Sequence, residues 1–276
     1  MARAGRAITN GIVLKLGGEL LERPDDVARV AEAIAALSKR AALVVVHGGG
    51  KEIDAALAAA GIPKQQVDGL RVTDAATLDV VVSVLAGAIN TRLVAAVRRA
   101  GGKPVGLTGA DATVVTVKRA RPVKTVAGDL VDLGLVGAPV ANGRPALLSD
   151  LLSRGYVPIV ACVGATRDGR LMNVNADTLA SHLAQALRAR RLVIAGGTSG
   201  VLDEQGKTIA RMTGREAARL IKAGTANKGM VAKLQACRAA LAGGVRDVVI
   251  ANGRETRLDA LAGDAEPAAG CTQVVR

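Results

Sequence analysis

Two glycine-rich turns contain the residues whose types and spacing are best suited to chemistry. The first is Lys15-Leu16-Gly17-Gly18 and the second is His47-Gly48-Gly49-Gly50, and each follows a short apolar run. Glycine has no Cβ atom, so successive backbone N–H groups can converge on an anionic oxygen, and a following helix adds its partial positive charge. The pair predicts phosphate binding, although Lys15 taken alone could be a surface lysine and the Walker spacing is absent. His47 suits a structural hydrogen bond at the rim of its turn better than proton transfer.

Two polar segments further along the chain add candidates for substrate binding. In Gly69–Asp74, Arg71 offers a bidentate fork to a carboxylate, while Thr73 or Asp74 suits the N-cap of the next helix. The segment Asn173–Asp177 enters a helix with two amides and a carboxylate, which is more than capping requires. An aspartate placed among lysines would hold their ammonium groups in position while staying ionised.

The last two segments contribute a loop and a second lysine. Gly196–Asp203 follows an apolar strand and is a candidate nucleotide-binding loop, and Gly229–Lys233 brings Lys233 to the start of a helix. Either segment alone is a weak signal.

Composition limits the class of protein. The 276 residues are 50% hydrophobic, which suits one large α/β domain or two lobes. With no Phe or Trp and one Tyr, the composition lowers the case for stacking nucleic-acid bases on aromatic side chains. The net charge is +13, but the 37 Lys and Arg residues are dispersed, as on a solvated surface that attracts anionic substrates, so we expect no nucleic-acid partner.

Cysteine usage and hydropathy predict a cytoplasmic protein without a membrane segment. The three cysteines, Cys162, Cys237 and Cys271, are far apart and fit neither a disulfide framework nor a metal site. We also expect that no apolar stretch reaches the roughly 18 residues that span a bilayer.

Apolar runs alternate with amphipathic stretches, which is typical of a mostly parallel sheet covered by helices. Between Val114 and Leu147 the pattern predicts a small β-hairpin excursion, and Gly263–Gly270 is predicted to be loop. The predicted strands are Ile12–Leu16, Ala42–Val46, Pro104–Leu107, Val157–Cys162, Leu192–Ile194 and Val248–Ala251. The predicted helices are Val27–Leu37, Ile53–Ala60, Thr77–Arg99, Ala176–Ala189, Gly214–Ala223 and Met230–Ala242.

Taken together, the motifs resemble the amino acid kinase superfamily and, within it, the N-acetylglutamate kinases. The resemblance extends from Lys15 to about Asn252, and the Gly-Leu-Arg-Val-Thr stretch resembles those kinases in particular. The segments that occur in the order and spacing of the family are Lys15–Gly18, Val46–Gly50, Gly69–Asp74, Leu85–Gly87, Asn173–Asp177 and Gly229–Lys233.

The resemblance implies an α/β fold, a three-layer αβα sandwich with a mostly parallel central sheet of about eight strands. It implies a single domain over residues 1–276, with an N-terminal lobe (1–178) for the acylated amino acid and dimerisation and a C-terminal lobe (179–276) for ATP. The reaction would transfer the γ-phosphoryl group of ATP to the side-chain carboxylate of N-acetyl-L-glutamate, in arginine biosynthesis. Mg²⁺ would be held mainly through the nucleotide phosphates, with no metal ligand assigned to the protein.

The resemblance also assigns roles to individual residues. Lys15 and Lys233 would neutralise charge on the transferring phosphoryl group, and Asp177 would orient both lysines. The substrate would be bound by Gly49, Gly50, Arg71 and Asn173. The phosphate and ATP contacts would come from Gly17, Gly18, Gly197, Thr198, Ser199, Gly200, Val201, Leu202, Thr225, Ala226, Asn227, Gly229 and Met230.

The sequence departs from the family at the nucleotide loop, where Gly197 stands in place of an acidic residue. Two alternatives therefore stay open: a nucleotide- or metabolite-binding regulator with weak or no catalysis, and a kinase for a related acylated substrate such as N-acetyl-aminoadipate. About ten residues precede the first strand, too few for the long N-terminal helix of arginine-inhibited hexamers, so we expect a homodimer without strong arginine feedback. Thr77–Arg99 suits either the dimer surface or the core.

Overall fold

The structure, a computed structural model, describes residues 11–125, 128–141, 143–224, 228–262 and 270–276. Numbered along the chain, its strands are β1 (Ile12–Leu16), β2 (Leu43–His47), β3 (Gln66–Val67), β4 (Leu70–Arg71), β5 (Pro104–Thr108), β6 (Val117–Arg119), β7 (Val123–Lys124), β8 (Leu130–Val131), β9 (Val136–Pro139), β10 (Val157–Ala161), β11 (Val163–Ala165), β12 (Leu171–Val174), β13 (Arg191–Gly196), β14 (Arg211–Thr213), β15 (Asp247–Asn252) and β16 (Cys271–Val275). The α-helices are α1 (Pro24–Ser38), α2 (Gly50–Ala59), α3 (Ala75–Val82), α4 (Asn90–Arg99), α5 (Ala146–Ser153), α6 (Ala176–Ala186), α7 (Gly214–Ala223) and α8 (Lys228–Ala242).

Eight strands form the central sheet in the order β14-β16-β15-β13-β1-β2-β10-β5. Neighbours from β15 to β5 run parallel, whereas β16 is antiparallel to β15 and pairs in parallel with β14. Strands β1, β2 and β10 are buried along their whole length, as expected for apolar parallel strands covered on both faces. The predicted sheet of about eight mostly parallel strands is confirmed.

The carboxyl ends of the central strands lie level with one another. Leu16 at the end of β1 pairs with His47 of β2 on one side and with Ala195 of β13 on the other, and Ala161 of β10 is level with His47. The loops that follow these strands therefore open at one edge of the sheet, which is where open α/β sheets place their ligands.

A second, four-stranded sheet lies beside the central one in the order β11-β12-β9-β6. The hairpin prediction for Val114–Leu147 was partly right, because β7 and β8 form an antiparallel pair. However, β9 pairs in parallel with β12 and antiparallel with β6, so this excursion is a mixed sheet. The missed pairing joins segments more than thirty residues apart along the chain, which local alternation of residues cannot reveal.

The predicted helix Thr77–Arg99 is a continuous run, Ala75–Arg99, made of α3, a π-helical turn over Ser83–Ile89, and α4. Asp74 caps its start by accepting a 2.8 Å hydrogen bond from the Thr77 amide, as predicted. By length and composition the run could cross a membrane, so the expectation that no such stretch exists was wrong. Core helices of globular proteins meet the same two criteria, and one side of this run is buried at residues including Val81, Leu85, Leu93 and Val97.

The core is aliphatic and contains a buried ion pair in the C-terminal half. Arg191, 1% exposed, donates from Nε to Asp247 at 2.6 Å and from Nη1 to the Leu261 carbonyl at 2.8 Å. Cys162, Cys237 and Cys271 are free and buried. One hydrophobic cluster includes residues from both halves of the chain, and the division into lobes at residue 178 stays a prediction.

Candidate functional site

The two glycine turns pack backbone against backbone at the carboxyl edge of the sheet. A Cβ atom added at Gly18 would lie 2.9 Å from the Gly49 Cα and 3.1 Å from the Gly50 nitrogen, so no larger residue fits there without displacing the second turn. Gly49 in turn faces Leu85 and Ile89 of the π turn, which leave no room for a side chain. Within the described part of the chain, the amides of Gly18, Gly49 and Gly50 have no hydrogen-bond acceptor. They form a cluster of free donors suited to an anion.

Lys15, Asp177 and Lys233 come together above these turns. The Lys15 Nζ lies 2.9 Å from Asp177 Oδ1, and the Lys233 Nζ lies 4.0 Å from Asp177 Oδ2. Lys15 and Asp177 are 7% and 5% exposed, so the ion pair between them is shielded from water. Asp177 sits in the first turn of α6, which Asn175 caps by accepting from the Thr178 amide at 3.0 Å. The sequence prediction that Asp177 lies between two lysines is thus reproduced by the geometry.

Burial and charge act on the two lysines with opposite results. Burial lowers the pKa of Lys15, but the charge and hydrogen bond of Asp177 outweigh it, so the pKa is raised above the ordinary 10.5. For Lys233, burial and the nearby Lys15 charge outweigh the attraction of Asp177, so the pKa is lowered. Lys15 is therefore a fixed, buried cation, while Lys233 gives up its proton more readily than an ordinary lysine.

On the other side of the second turn, a cavity of about 200 Å³ is lined by residues that include Gly49, Arg71 and Asn173. Arg71 has 8% of its side chain exposed; its Nη2 donates to Asp54 and, at 3.2 Å, to the Gly50 carbonyl. Its Nη1 is buried and has no partner among the described residues. Since an unpaired buried donor is costly, this half of the fork is suited to a carboxylate of a ligand.

Asn173 lies across the same cavity on β12. Its Nδ2 donates to Thr73 Oγ1 at 3.1 Å, and its backbone nitrogen donates to the Leu135 carbonyl at 3.0 Å. These contacts orient the side chain toward the cavity and leave the amide oxygen available for a polar group of a ligand.

His47 is fully buried, so its predicted place at the rim was wrong, while the predicted structural role agrees with its contacts. Its Nε2 accepts from Asn90 Nδ2 at 3.0 Å, and its Nδ1 donates to the Gly48 carbonyl at 3.2 Å. Asn90 also donates to the Ile159 carbonyl at 2.9 Å. Burial lowers the pKa of His47 to about 4, so the neutral ring ties β2 to α4 and β10.

The nucleotide loop is only partly free to receive a ligand. The Val201 amide donates to Thr272 Oγ1 at 2.7 Å, and Ser199 donates to Glu255 at 3.2 Å. Gly197 and Thr198 are exposed, as is Leu202, whereas Gly200 is buried at a φ of +71°. Met230 is buried and the Gly229 carbonyl accepts from Lys233 at 3.4 Å, while Thr225, Ala226 and Asn227 lie outside the described residues.

Sequence reasoning missed Glu19, which enters the same cleft. Its Oε1 accepts a 2.8 Å hydrogen bond from the Gly197 amide, so the carboxylate reaches the loop where the family pattern led us to expect an acidic residue. Glu19 directly follows the first glycine turn, but its position in the sequence gave no sign of a partner 178 residues away.

Comparison with known proteins agrees with this architecture. Residues 10–252 match the amino acid kinase family. The chain belongs to this family. This amino acid kinase is 40% identical over 250 residues to an acetylglutamate kinase of Parvibaculum lavamentivorans, covering 88% of this chain and 81% of that one. It is 42% identical over 243 residues to an acetylglutamate kinase of Methanopyrus kandleri, covering 87% of this chain and 94% of that one.

Among solved structures, N-acetylglutamate synthase from Neisseria gonorrhoeae, complexed with coenzyme A and N-acetyl-glutamate, superposes with a TM-score of 0.80 at 25% identity. That match covers 98% of this kinase and 60% of the synthase chain. Carbamate kinase from Giardia lamblia bound to AMP-PNP superposes with a TM-score of 0.66 at 16% identity, covering 98% and 100% of the two chains, which shows a shared fold.

Because His47 is neutral when folded, stability should fall in acid. The ring has an ordinary pKa of 6.5 and a pKa of about 4 in the fold, so between these values the unfolded chain binds a proton that the folded chain does not. Stability is therefore full above pH 6.5 and declines toward pH 4, by up to ~3 kcal/mol for this residue. Urea unfolding of the wild type and His47→Gln at pH 7, 5.5 and 4.5 measures the difference, and parallel pH dependences would contradict the assignment.

Proposed function

We propose that this chain phosphorylates the side-chain carboxylate of N-acetyl-L-glutamate with ATP, in arginine biosynthesis. The observation that carries the proposal is the Lys15–Asp177–Lys233 cluster beside free backbone amides, at the edge of the sheet where the fold opens. The relatives named acetylglutamate kinase, at 40–42% identity over most of the chain, support the choice of substrate.

The cavity beside the second glycine turn would hold the acceptor. Its volume of about 200 Å³ suits a small acylated amino acid. The free Nη1 of Arg71 would bind the α-carboxylate, and the Asn173 amide would bind the acetamido region. Gly49 and Gly50 would then present the side-chain carboxylate toward the lysines.

The chemistry needs no general base, because a carboxylate is already an ionised nucleophile. A carboxylate oxygen forms a bond to the γ-phosphorus, the bond between that phosphorus and the bridging oxygen breaks, and ADP leaves without proton transfer. The amides of Gly18, Gly49 and Gly50 would hold phosphoryl and carboxylate oxygens in line, while Lys15 and Lys233 would neutralise the growing charge. Asp177 is a positioning residue, since it holds both ammonium groups.

The donor set fits a nucleotide triphosphate, because free amides and two lysines face the same opening. The further nucleotide contacts would come from the loop Gly197–Leu202 and the start of α8. Mg²⁺ supplies charge neutralisation when it arrives with the phosphates. Among the described residues, no three His, Cys, Asp or Glu side chains gather in a group that could hold a metal.

We extend the proposal to assembly, organisation and location. The apolar run Ala75–Arg99 would form the interface of a homodimer, since 39% of its most apolar window is buried within the chain. Val80 and Val84 are half-buried, and Gly87 and Ala88 are exposed on its outer side. Residues 1–178 would bind the acylated amino acid and residues 179–276 would bind ATP. The cytoplasm is the proposed compartment, because three buried free thiols suit a reducing environment.

A substrate panel tests the reaction directly. ADP release would be measured with N-acetylglutamate, N-acetyl-aminoadipate, glutamate, aspartate and carbamate, and the acyl phosphate trapped as a hydroxamate. We expect N-acetylglutamate to give the highest kcat/KM. A higher kcat/KM with N-acetyl-aminoadipate would make that compound the proposed substrate. ATP binding without formation of any acyl phosphate would favour a regulator.

Removing either lysine should lower kcat. Lys15→Ala or Lys233→Ala is expected to reduce kcat by about a hundredfold or more, because each removes a charge that stabilises the transition state. Lys222→Ala, an exposed lysine at the end of α7, is the matched control and should keep wild-type turnover. Near-normal kcat in either cleft variant would remove that lysine from the site.

Arg71 should act on binding of the acyl amino acid more than on turnover. Arg71→Ala is expected to raise the KM for N-acetylglutamate by about ten- to a hundredfold, since a hydrogen bond to a charged group is worth about 1.5–3 kcal/mol. The exposed Arg98 of α4 offers a control, and Arg98→Ala should leave this KM unchanged. An Arg71→Ala chain with wild-type KM would exclude Arg71 from the acceptor site.

A further inference from the structure

Glu19 is a carboxylate fixed inside a region built to bind anions. It lies in a 3-10 turn, Gly18–Leu20, closed by hydrogen bonds from the Leu20 and Leu21 amides to the carbonyls of Gly17 and Gly18. Leu20 and Leu21 are 0% and 1% exposed, so the turn is anchored on the core while Glu19 remains half-buried at its surface.

A contact from the far end of the chain fixes the backbone of this turn. Arg254 Nη2 donates to the Glu19 carbonyl at 2.7 Å, and its Nε donates to Asp26 at 3.2 Å. Asp26 is itself 4% exposed and is paired with Arg29 at 2.8 Å. The backbone of Glu19 is therefore tied to α1 and to the segment that follows β15.

The side chain passes between two glycines to reach the nucleotide loop. A Cβ atom at Gly17 would clash with the Glu19 carboxylate, and one at Gly196 would lie 2.9 Å from its Oε1. The carboxylate then accepts from the Gly197 amide at 2.8 Å. Its negative charge favours the protonated forms of both Lys15 and Lys233, although burial leaves the pKa of Lys233 lowered overall.

Counting charges shows what Glu19 changes. Among the described side chains of the cluster, Lys15 and Lys233 against Asp177 leave one net positive charge, and the carboxylate of Glu19 offsets it. A bare triphosphate would meet a carboxylate at the nucleotide loop, and that carboxylate would repel the phosphates. A triphosphate whose charge is reduced by a bound divalent cation would be repelled far less, and its hard cation suits a carboxylate oxygen.

We propose that Glu19 makes the nucleotide site selective for the magnesium complex of the nucleotide over the metal-free form. This inference rests on the proposed use of ATP. The family pattern expects an acidic residue at the position of Gly197, which has no side chain. Glu19, which follows the first glycine turn, would supply the carboxylate at this loop instead.

Binding of AMP-PNP to the wild type and to Glu19→Gln tests the proposal, by calorimetry with excess Mg²⁺ and with EDTA. The preference for the magnesium form is the ratio of the two dissociation constants. We expect Glu19→Gln to reduce this ratio by about tenfold or more, chiefly through tighter binding of the metal-free nucleotide. In steady-state assays, free ATP in excess of magnesium should then inhibit the variant more strongly than the wild type.

Two further variants separate charge from structure. Glu32→Gln removes one exposed carboxylate from α1 and should keep the wild-type ratio. Glu19→Asp keeps the charge and should keep most of the preference. If Glu19→Asp behaves like Glu19→Gln, the charge argument is overturned.

The remaining outcomes are distinct. Equal ratios in wild type and Glu19→Gln, or loss of affinity by the same factor with and without magnesium, would make Glu19 merely structural and overturn the inference while the proposed function stands. Failure to phosphorylate N-acetylglutamate alongside intact magnesium-selective binding would overturn the substrate alone. If the wild type binds AMP-PNP in neither condition, ATP use and this inference fail together.

Discussion

The buried ion pair between Lys15 and Asp177 is the interaction on which the site depends. An ammonium group in the interior is tolerated only when a fixed carboxylate compensates for lost hydration, and here the two atoms lie 2.9 Å apart. Lys15 comes from a central strand held on both sides by neighbours, and Asp177 comes from the first turn of a helix, whose partial positive charge also favours a carboxylate. Lys15 is held by the sheet and Asp177 by the capped first turn of α6, so the cationic end of the site is fixed before any ligand arrives.

Other parts of the site are arranged around that fixed charge. The second glycine turn approaches the first so closely that backbone meets backbone, which brings free amides beside Lys15. Asp54 holds Arg71 through Nη2, while Nη1 has no partner among the described residues. The acceptor side is therefore oriented and still has a free donor for a ligand. Lys233 lies on a separate helix, 4.0 Å from Asp177, and is the more exposed of the two cations. The result is an acceptor side whose donors are preorganised before a ligand binds.

Local sequence signals identified the site residues whose roles depend on residues close to them along the chain. Glycine runs after strands, a capping segment with surplus amides and lysines next to turns are all visible within a few positions, and the family resemblance supplied their order. Features that depend on distant partners were missed. They are the pairing of β9 with β12, the hydrogen bond between His47 and Asn90, and the hydrogen bond between Glu19 and Gly197. Strands β14 and β16, at one end of the central sheet, escaped prediction because the segments that they pair are far apart in sequence. Pairing between distant segments is a property of the packed chain, and composition and periodicity do not encode it locally.

The π turn at Ser83–Ile89 has an evolutionary consequence. A π turn contains more residues than the α-helical turn it replaces, and each residue rotates a helix by about 100°. Loss of a single residue there would regularise the helix and turn every later side chain by that angle. Leu93 and Val97, now 1% and 0% exposed, would leave the core, and Leu85 and Ile89 would no longer cover Gly49. Lineages of this protein can therefore shorten the turn only together with compensating changes along the whole of α4.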